Sequence, residues 1–405
     1  MDTLTQAVLL LSAHFGKSTP GEPRPLGPAE YGRLAQWLIE HELEPQDLLL
    51  NDLKAVLADW NDSRISVDRI CFLLGRSAAL ALALEKWERA GLWVITRADP
   101  AYPPRLKRML KREAPPVLIG CGNQSLLSTG GLAVVGSRDA TTPELSLAAH
   151  LGTSAAHANL TVVSGGAAGI DETAMLATIE AGGNSVGVLA NHLLRTTTSK
   201  KYRHGLIEDR LALITPFNPE AAFDVGNAMA RNRYIYCLAE AAVVVATGDG
   251  TGGTWNGALL NLTEGWVPLW INRNLESAAG GAALVEKGGR WLPDGDFEVA
   301  ELLTASETSL AQHVPHNAGP APVTIRPTHV SDRADFFDLF VEYAQQLTRS
   351  EPRTPAQLCA ALDLQKSQVD VWLARAVDEG RLRKLTRPLR YAPADASSGQ
   401  PSLFR

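Results

Sequence analysis

Cysteine is sparse in this sequence, and long apolar runs are missing. The four cysteines, Cys71, Cys121, Cys237 and Cys359, stand far apart, with no CxxC pair and no Cys/His cluster. That spacing fits a reducing compartment and argues against a structural zinc or a disulfide framework. Each cysteine is expected to be a small buried hydrophobe, and neither a metal nor a cofactor is expected. No apolar stretch approaches the roughly 18 residues needed to cross a bilayer. The run Ala7-Val8-Leu9-Leu10-Leu11 is short and lacks a basic flank or a small-residue cleavage site. It reads as a buried helix face and not as a signal peptide. A cytoplasmic protein without a membrane partner is the expectation. An excess of basic charge is also missing: the net charge is −6. Any polyanion would have to be met by a local basic patch and not by a global field.

What is present is ordinary for a globular protein: 405 residues, 45% hydrophobic and 20% charged. That length suits two to four domains. Residues 1–90 read as a helical domain, with apolar spacing of three and four in Tyr31, Leu34, Leu38 and in Leu80, Leu84, Trp87. Residues 91–303 change character. Short aliphatic runs alternate with helical stretches: Leu92–Ile95, Leu132–Val135, Thr161–Val163, Ser185–Leu189, Ala212–Ile214, Ala242–Val245 and Val267–Ile271. Apolar strands alternating with helices predict an α/β domain, a Rossmann-like, doubly wound parallel sheet. Its ligands belong at the carboxyl ends of the strands. Residues 304–333, rich in Ser, Thr, Pro, His and Ala, read as a linker. Residues 334–392 form a small module, and 393–405 a polar, disordered tail.

Four regions near these strands are built to approach an anion. Gly136-Ser137-Arg138 follows Leu132–Val135. It offers a sharp turn, a hydroxyl and a guanidinium fork, although no GxGxxG fingerprint follows that strand. A structural turn with a surface arginine is the competing reading. Ser164-Gly165-Gly166-Ala167-Ala168-Gly169-Ile170-Asp171 follows Thr161–Val163 and opens a helix. Backbone amides there form an anion nest, and Asp171 could cap the helix or orient a neighbour. A purely structural turn is the alternative. The basic stretch Arg195, Lys200, Lys201, Arg203, Arg210 comes third, with a solvated helix face as its plainer explanation. Fourth, Arg231-Asn232-Arg233 precedes the strand Ala242–Val245, and Thr247–Thr254 follows it, with Gly252, Gly253 and Thr254 offering backbone donors. Glycine-rich turns of this kind also serve purely structural ends.

Together these motifs carry a resemblance. Val134-Val135-Gly136-Ser137-Arg138, the Ser164–Asp171 octapeptide and Arg231-Asn232-Arg233 resemble, in order and spacing, the DNA-processing protein family DprA/Smf. Upstream, Asp99-Pro100-Ala101-Tyr102-Pro103-Pro104-Arg105-Leu106 and Pro115-Pro116-Val117-Leu118 look like that family's entry into its Rossmann domain. The likeness covers about residues 90–275. It implies a pocket that binds single-stranded DNA and a partner of the RecA recombinase type. It also implies a homodimer, and a role in natural transformation or recombination. By position, Arg138 resembles the phosphate-gripping arginine. Lys200, Lys201 and Arg203 resemble the lining of the groove, and Arg231 and Arg233 the pair that shapes the pocket. The chain departs from the pattern in three places. Arg203 stands where a proline follows the tyrosine, Ala228-Met229-Ala230 replaces a Phe-Pro, and Thr251-Gly252-Gly253-Thr254 replaces Ser-Gly-Ser.

The terminal module reads as a winged helix: helices at Ala334–Thr348, from Thr354-Pro355 to Ala361, and at Lys366–Glu379, then a hairpin around Arg387-Pro388. Lys366, Ser367, Gln368 and Arg375 could meet DNA, and a protein partner is an equal alternative. The function expected is non-catalytic DNA binding. Two other readings use the same pocket. One is a nucleotide sensor. The other is a LOG-type phosphoribohydrolase, against which Gly253-Thr254 is followed by Trp255-Asn256-Gly257 with no catalytic glutamate.

Overall fold

The computed structural model describes residues 1–16, 21–50, 52–248, 250–275, 279–304, 336–349, 351–362, 366–386 and 389–393. The predicted linker and polar tail lie almost entirely outside these residues. The chain divides at residue 313 into two compact units.

The first unit opens with six helices: α1 (Thr3–Ser12), α2 (Pro28–Glu40), α3 (Asp47–Leu50), α4 (Leu53–Val56), α5 (Val67–Leu74) and α6 (Ser77–Arg89). Asp2 caps α1 by accepting the Thr5 amide at 2.6 Å. A helix apolar all round has to be buried, and Ala7 through Leu11 are buried in one row. Val8 through Leu11 share a core with Leu34, Leu73 and the sheet residues Val117 and Ile119. Secondary structure changes at residue 90, but the core continues across it.

Strands and helices then alternate: β1 (Trp93–Thr96), α7 (Pro104–Leu110), β2 (Val117–Gly122), β3 (Leu132–Val135), α8 (Thr142–His157), β4 (Val162–Ser164), α9 (Ile170–Glu180), β5 (Ser185–Val188), α10 (Leu193–Thr196), α11 (Lys200–Ile207), β6 (Leu211–Thr215), α12 (Val225–Leu238), β7 (Ala241–Val244), α13 (Gly252–Glu264), β8 (Leu269–Ile271), α14 (Ala279–Glu286) and β9 (Arg290–Trp291). The sheet order is β1-β2-β6-β5-β4-β3-β7-β8-β9. From β3 the chain winds outward through β4, β5 and β6, then returns to place β7 on the other side of β3. Loops therefore crowd the carboxyl ends near that reversal, where doubly wound sheets hold ligands. Strands β3 and β7 read LAVV and AAVV and are buried throughout, as a sheet covered on both faces requires.

The sheet is parallel from β6 to β9, as expected. The edge is not: β2 runs antiparallel to β6, and β1 antiparallel to β2. Strand β2 carries Gly120 and Gly122, which weaken its strand signal in the sequence. Packing explains Gly120. A Cβ there would lie 2.4 Å from the Trp93 ring and 2.7 Å from the Leu213 carbonyl.

The second unit contains α15 (Phe336–Thr348), α16 (Pro355–Leu362), α17 (Lys366–Asp378) and a hairpin of β10 (Leu382–Thr386) and β11 (Leu389–Pro393). Thr354 caps α16 in a reciprocal pair: its hydroxyl accepts the Gln357 amide, and the Gln357 side chain accepts the Thr354 amide. Phe337, Phe340, Leu358, Leu373 and Tyr391 form its core. This is the winged-helix layout.

Candidate functional site

The site is built around a buried acid and a buried base. Asp171, in the first turn of α9, is 5% exposed and points back under the loops that precede it. Its carboxylate accepts the amides of Gly136 at 3.2 Å and Gly165 at 3.1 Å. Burial pushes its pKa up, while the nearby Arg231 guanidinium and these amides pull it back. Arg231, on α12, is 6% exposed. Its Nη1 donates to the carbonyls of Gly165 at 2.5 Å and Val188 at 2.6 Å. Burial lowers the Arg231 pKa, and Asp171 opposes that shift. The two side chains thus tie together the ends of β3, β4 and β5. Gly165 is required between them: a Cβ would lie 2.0 Å from Arg231 Nη1 and 2.5 Å from Asp171 Oδ2.

Above this floor opens a pocket of about 540 Å³. Arg138 contributes from the loop after β3, Gly165 and Gly166 from the loop after β4, and the segment after β5 supplies a polar rim with Asn191, His192, Arg195, Thr198, Ser199 and Lys201. The rim is pinned by backbone bonds from His192 to Ala221 and from Leu194 to Pro219. His192 holds a left-handed conformation at φ 51°, unusual for a residue with a Cβ. Tyr202 lines the wall at 1% exposure, and its hydroxyl has no hydrogen-bond partner among the described residues. Burial, with Glu172 and Asp171 nearby, pushes its pKa up, so the hydroxyl keeps its proton and remains a donor. Arg138 lies over the Phe223 ring, 4.6 Å from its centre, and Phe223 is 38% exposed.

The residues singled out in the sequence separate into several groups. Arg138, Gly165, Gly166 and Lys201 line the pocket, with Arg231 beneath. Lys201 also pairs with Glu172 at 2.5 Å. Gly136 and Asp171 build the floor, and Gly169 is the N-cap of α9. Ser137 serves the local turn, its hydroxyl accepting the Asp139 amide at 3.2 Å. Ser164 is buried, does not line the pocket, and its hydroxyl donates to the Val134 carbonyl at 2.6 Å, tying β4 to β3. Lys200 and Arg203 are exposed on α11 and do not line the pocket, because Lys201 and Tyr202 take the inward positions of that short helix.

Apart from Arg231, the residues of the fourth region stay outside the pocket. Asn232 donates to the Gly253 carbonyl at 2.9 Å and fastens the start of α13, where Gly252, Gly253 and Thr254 lie. Arg233 is two residues, about 200°, around α12 from Arg231. It therefore faces away, 3.5 Å from Glu113 and over the Tyr234 ring. Of the pair expected to shape the pocket, Arg231 lines it and Arg233 does not. Sequence reasoning missed Asn191, His192, Thr198, Ser199 and Phe223, and met Tyr202 only as the tyrosine that Arg203 follows. The one available signal was the hydroxyl run Thr196-Thr197-Thr198-Ser199.

In the second unit, Arg375 pairs with Glu379 at 2.8 Å and lies 3.8 Å from the centre of the Phe337 ring. That guanidinium serves the module's own packing. The side chains of Lys366, Ser367 and Gln368 lie outside the described residues. Among the described residues, no His/Cys/Asp/Glu cluster could hold a metal ion, and no helix is long and apolar enough to cross a membrane.

Comparison with known proteins bears on this geometry. A family model described as DNA recombination-mediator protein A matches residues 93–302. DNA processing protein DprA of Bacillus subtilis (strain 168) is 27% identical over 228 residues, covering 54% of this chain and 75% of that protein. Among solved structures, DNA processing protein A from Streptococcus pneumoniae aligns with a TM-score of 0.51 at 20% identity, over 72% of this chain and 99% of that one. Its likeness is one of fold. A structure of the Helicobacter pylori DNA processing protein A, described for its single-stranded DNA binding mode, aligns with a TM-score of 0.43 at 20% identity, over 54% of this chain and 96% of that one.

Proposed function

The chain belongs to the DNA recombination-mediator protein A family, and on that premise we propose that its pocket binds single-stranded DNA through the phosphates. Arg138 is the observation that supports this reading. It stands half-exposed at the pocket mouth, with no carboxylate in ion-pair reach among the described residues. Arg195 adds a second exposed cation, and Lys201 a third that Glu172 partly offsets. The Tyr202 hydroxyl supplies a neutral donor deeper in the pocket. The exposed Phe223 ring beside Arg138 offers a face on which a base can stack, an interaction worth about 1–3 kcal/mol. Phosphate on Arg138 with a base on Phe223 fits a polynucleotide and needs no sequence readout.

The protein is read as non-catalytic. Asp171 is buried and occupied with backbone amides, and Trp255, where the hydrolase pattern continues from Gly253-Thr254, is buried. Transfer of the bound strand to a RecA-type recombinase, in DNA uptake or recombination, belongs to the same proposal. So do a homodimer, a cytoplasmic location and the binding module at residues 91–303. Family membership supports the recombinase and the dimer, and four free cysteines suit a reducing compartment.

A free nucleotide is the second reading, favoured by one observation: about 540 Å³ is also the size of a small-molecule pocket. One experiment decides between them: the full chain titrated with single-stranded DNA, duplex DNA and mononucleotides at equal phosphate concentration. Tightest binding of the single strand is expected. Preference for a mononucleotide would replace the proposal with the sensor reading.

A further inference from the structure

A second concentration of positive charge lies away from the pocket, on α7 and the turn that follows it. The stretch Pro104–Glu113 reads PRLKRMLKRE. Leu106 and Leu110 anchor it in the core. Arg105 is half-buried, donates to the Ala239 carbonyl and lies 3.8 Å from Glu240. Lys107, Arg108, Lys111 and Arg112 remain exposed, with no carboxylate in ion-pair reach among the described residues. Glu113, the acid in this stretch, is held 3.5 Å from Arg233. Arg233 thus offsets the negative charge that would otherwise quench the patch. In a chain of net charge −6, four exposed cations between Lys107 and Arg112, without an ion pair among the described residues, are a local field for a polyanion.

The backbone adds a second sign. Lys111 adopts φ 49°, ψ −117°. Glycine takes that region readily and a side-chain-bearing residue takes it only under strain, which accumulates at functional positions.

The sheet register places the Lys111 and Arg112 end of this patch relative to the pocket, while Arg105 at the other end of α7 reaches Ala239, just before β7. The end of β1, Thr96, pairs with the start of β2, Val117, and Ile119 pairs with Thr215 at the end of β6. The same edge carries the ends of β4 and β5, where the pocket opens. Arg97 sits there directly after β1, its amide donating to the Pro116 carbonyl at 3.1 Å and its guanidinium to the Arg112 carbonyl at 3.5 Å. From β5 to β1 is three strand spacings, about 14 Å at ~4.8 Å each.

We propose that Lys107, Arg108, Lys111 and Arg112 form a second phosphate-contacting surface that takes the single strand as it leaves the pocket along this edge. The inference rests on the pocket reading above. A polynucleotide is favoured over an acidic protein because the Lys111 and Arg112 end of the patch lies toward the sheet edge that carries the pocket.

The test uses the full chain with all four residues changed to Gln. It is compared with wild type on an oligonucleotide of about 5 nucleotides and one of about 30. The short strand should bind as in wild type, within about twofold. The long strand should bind at least about tenfold more weakly, with a salt slope reduced by up to about 2.8, at 0.7 per lost phosphate contact. Unchanged binding of the long strand overturns the proposal. So does equal weakening of both lengths. Loss of polyglutamate binding, with long-strand binding kept, overturns it in favour of an acidic protein. Lys111→Gly guards against misfolding. It relieves the backbone strain, so the variant should be at least as stable as wild type and still bind the long strand about two- to fivefold more weakly. Full long-strand affinity in that variant counts against the proposal. An Arg138→Ala variant reads the pocket alone: unchanged binding of the short strand would overturn the pocket reading and not the patch.

Discussion

The floor and the rim of the pocket are made from different physics. The floor joins Asp171, Arg231 and the Gly165 turn in a buried, closely packed arrangement. Each charge there is held by amides or carbonyls, and a single added methyl does not fit. The rim, from Asn191 to Lys201 with Arg138 and Phe223, is mostly polar and partly to fully exposed, with cationic side chains at Arg138, Arg195 and Lys201. The floor therefore fixes where the loops sit, and the rim meets what arrives. An arginine can serve either role, and burial decides which.

The strongest way to test that division is to remove the floor's base. Arg231→Ala leaves Asp171 buried without its cationic neighbour and should cost about 3–5 kcal/mol of stability in denaturant unfolding. A stably folded Arg231→Ala protein that had lost only DNA binding would break the comparison. Gly165→Ala forces a methyl between Arg231 and Asp171 and should cost about 1–3 kcal/mol, read in the same experiment. Tyr202→Phe sharpens the boundary between the two regions. Its hydroxyl has no partner among the described residues, so the fold should lose nothing or gain up to about 1 kcal/mol. DNA affinity should fall about two- to tenfold if that hydroxyl donates to a phosphate, and unchanged affinity would assign Tyr202 to the floor alone. The smallest effect is expected at Arg233→Ala. Its partly exposed pair with Glu113 contributes about 0–1 kcal/mol, and short-strand binding should be unchanged.

Much of the floor was legible in the sequence. Apolar strands followed by Gly-Ser-Arg and by a glycine-rich octapeptide are local signals. The strand Leu132–Val135 falls where its composition puts it. Asp171 stood in that octapeptide as an acid that could orient a neighbour, and the structure puts it under two loops. The rest depended on what lies across space. Arg231 and Arg233 look equivalent in a line of residues, but helical geometry sends one under Gly165 and the other to Glu113. Ser164 looks like a phosphate ligand until Val134 takes its hydroxyl. Strand β2 was hidden because Gly120 answers to the Trp93 ring and not to strand propensity. Phe223 lies far from Arg138 in sequence and reaches it only when the loop after β6 folds over the rim.

The central claim is that the rim binds single-stranded DNA through Arg138. The direct measurement is the affinity of wild type and Arg138→Ala for one oligonucleotide across a range of salt concentrations, alongside the unfolding midpoint of each. The account predicts weaker binding and a salt slope lower by about 0.7 in the variant. It also predicts stability within about 0.5 kcal/mol of wild type. An Arg138→Ala protein that folds normally and binds with the wild-type affinity and slope would contradict it.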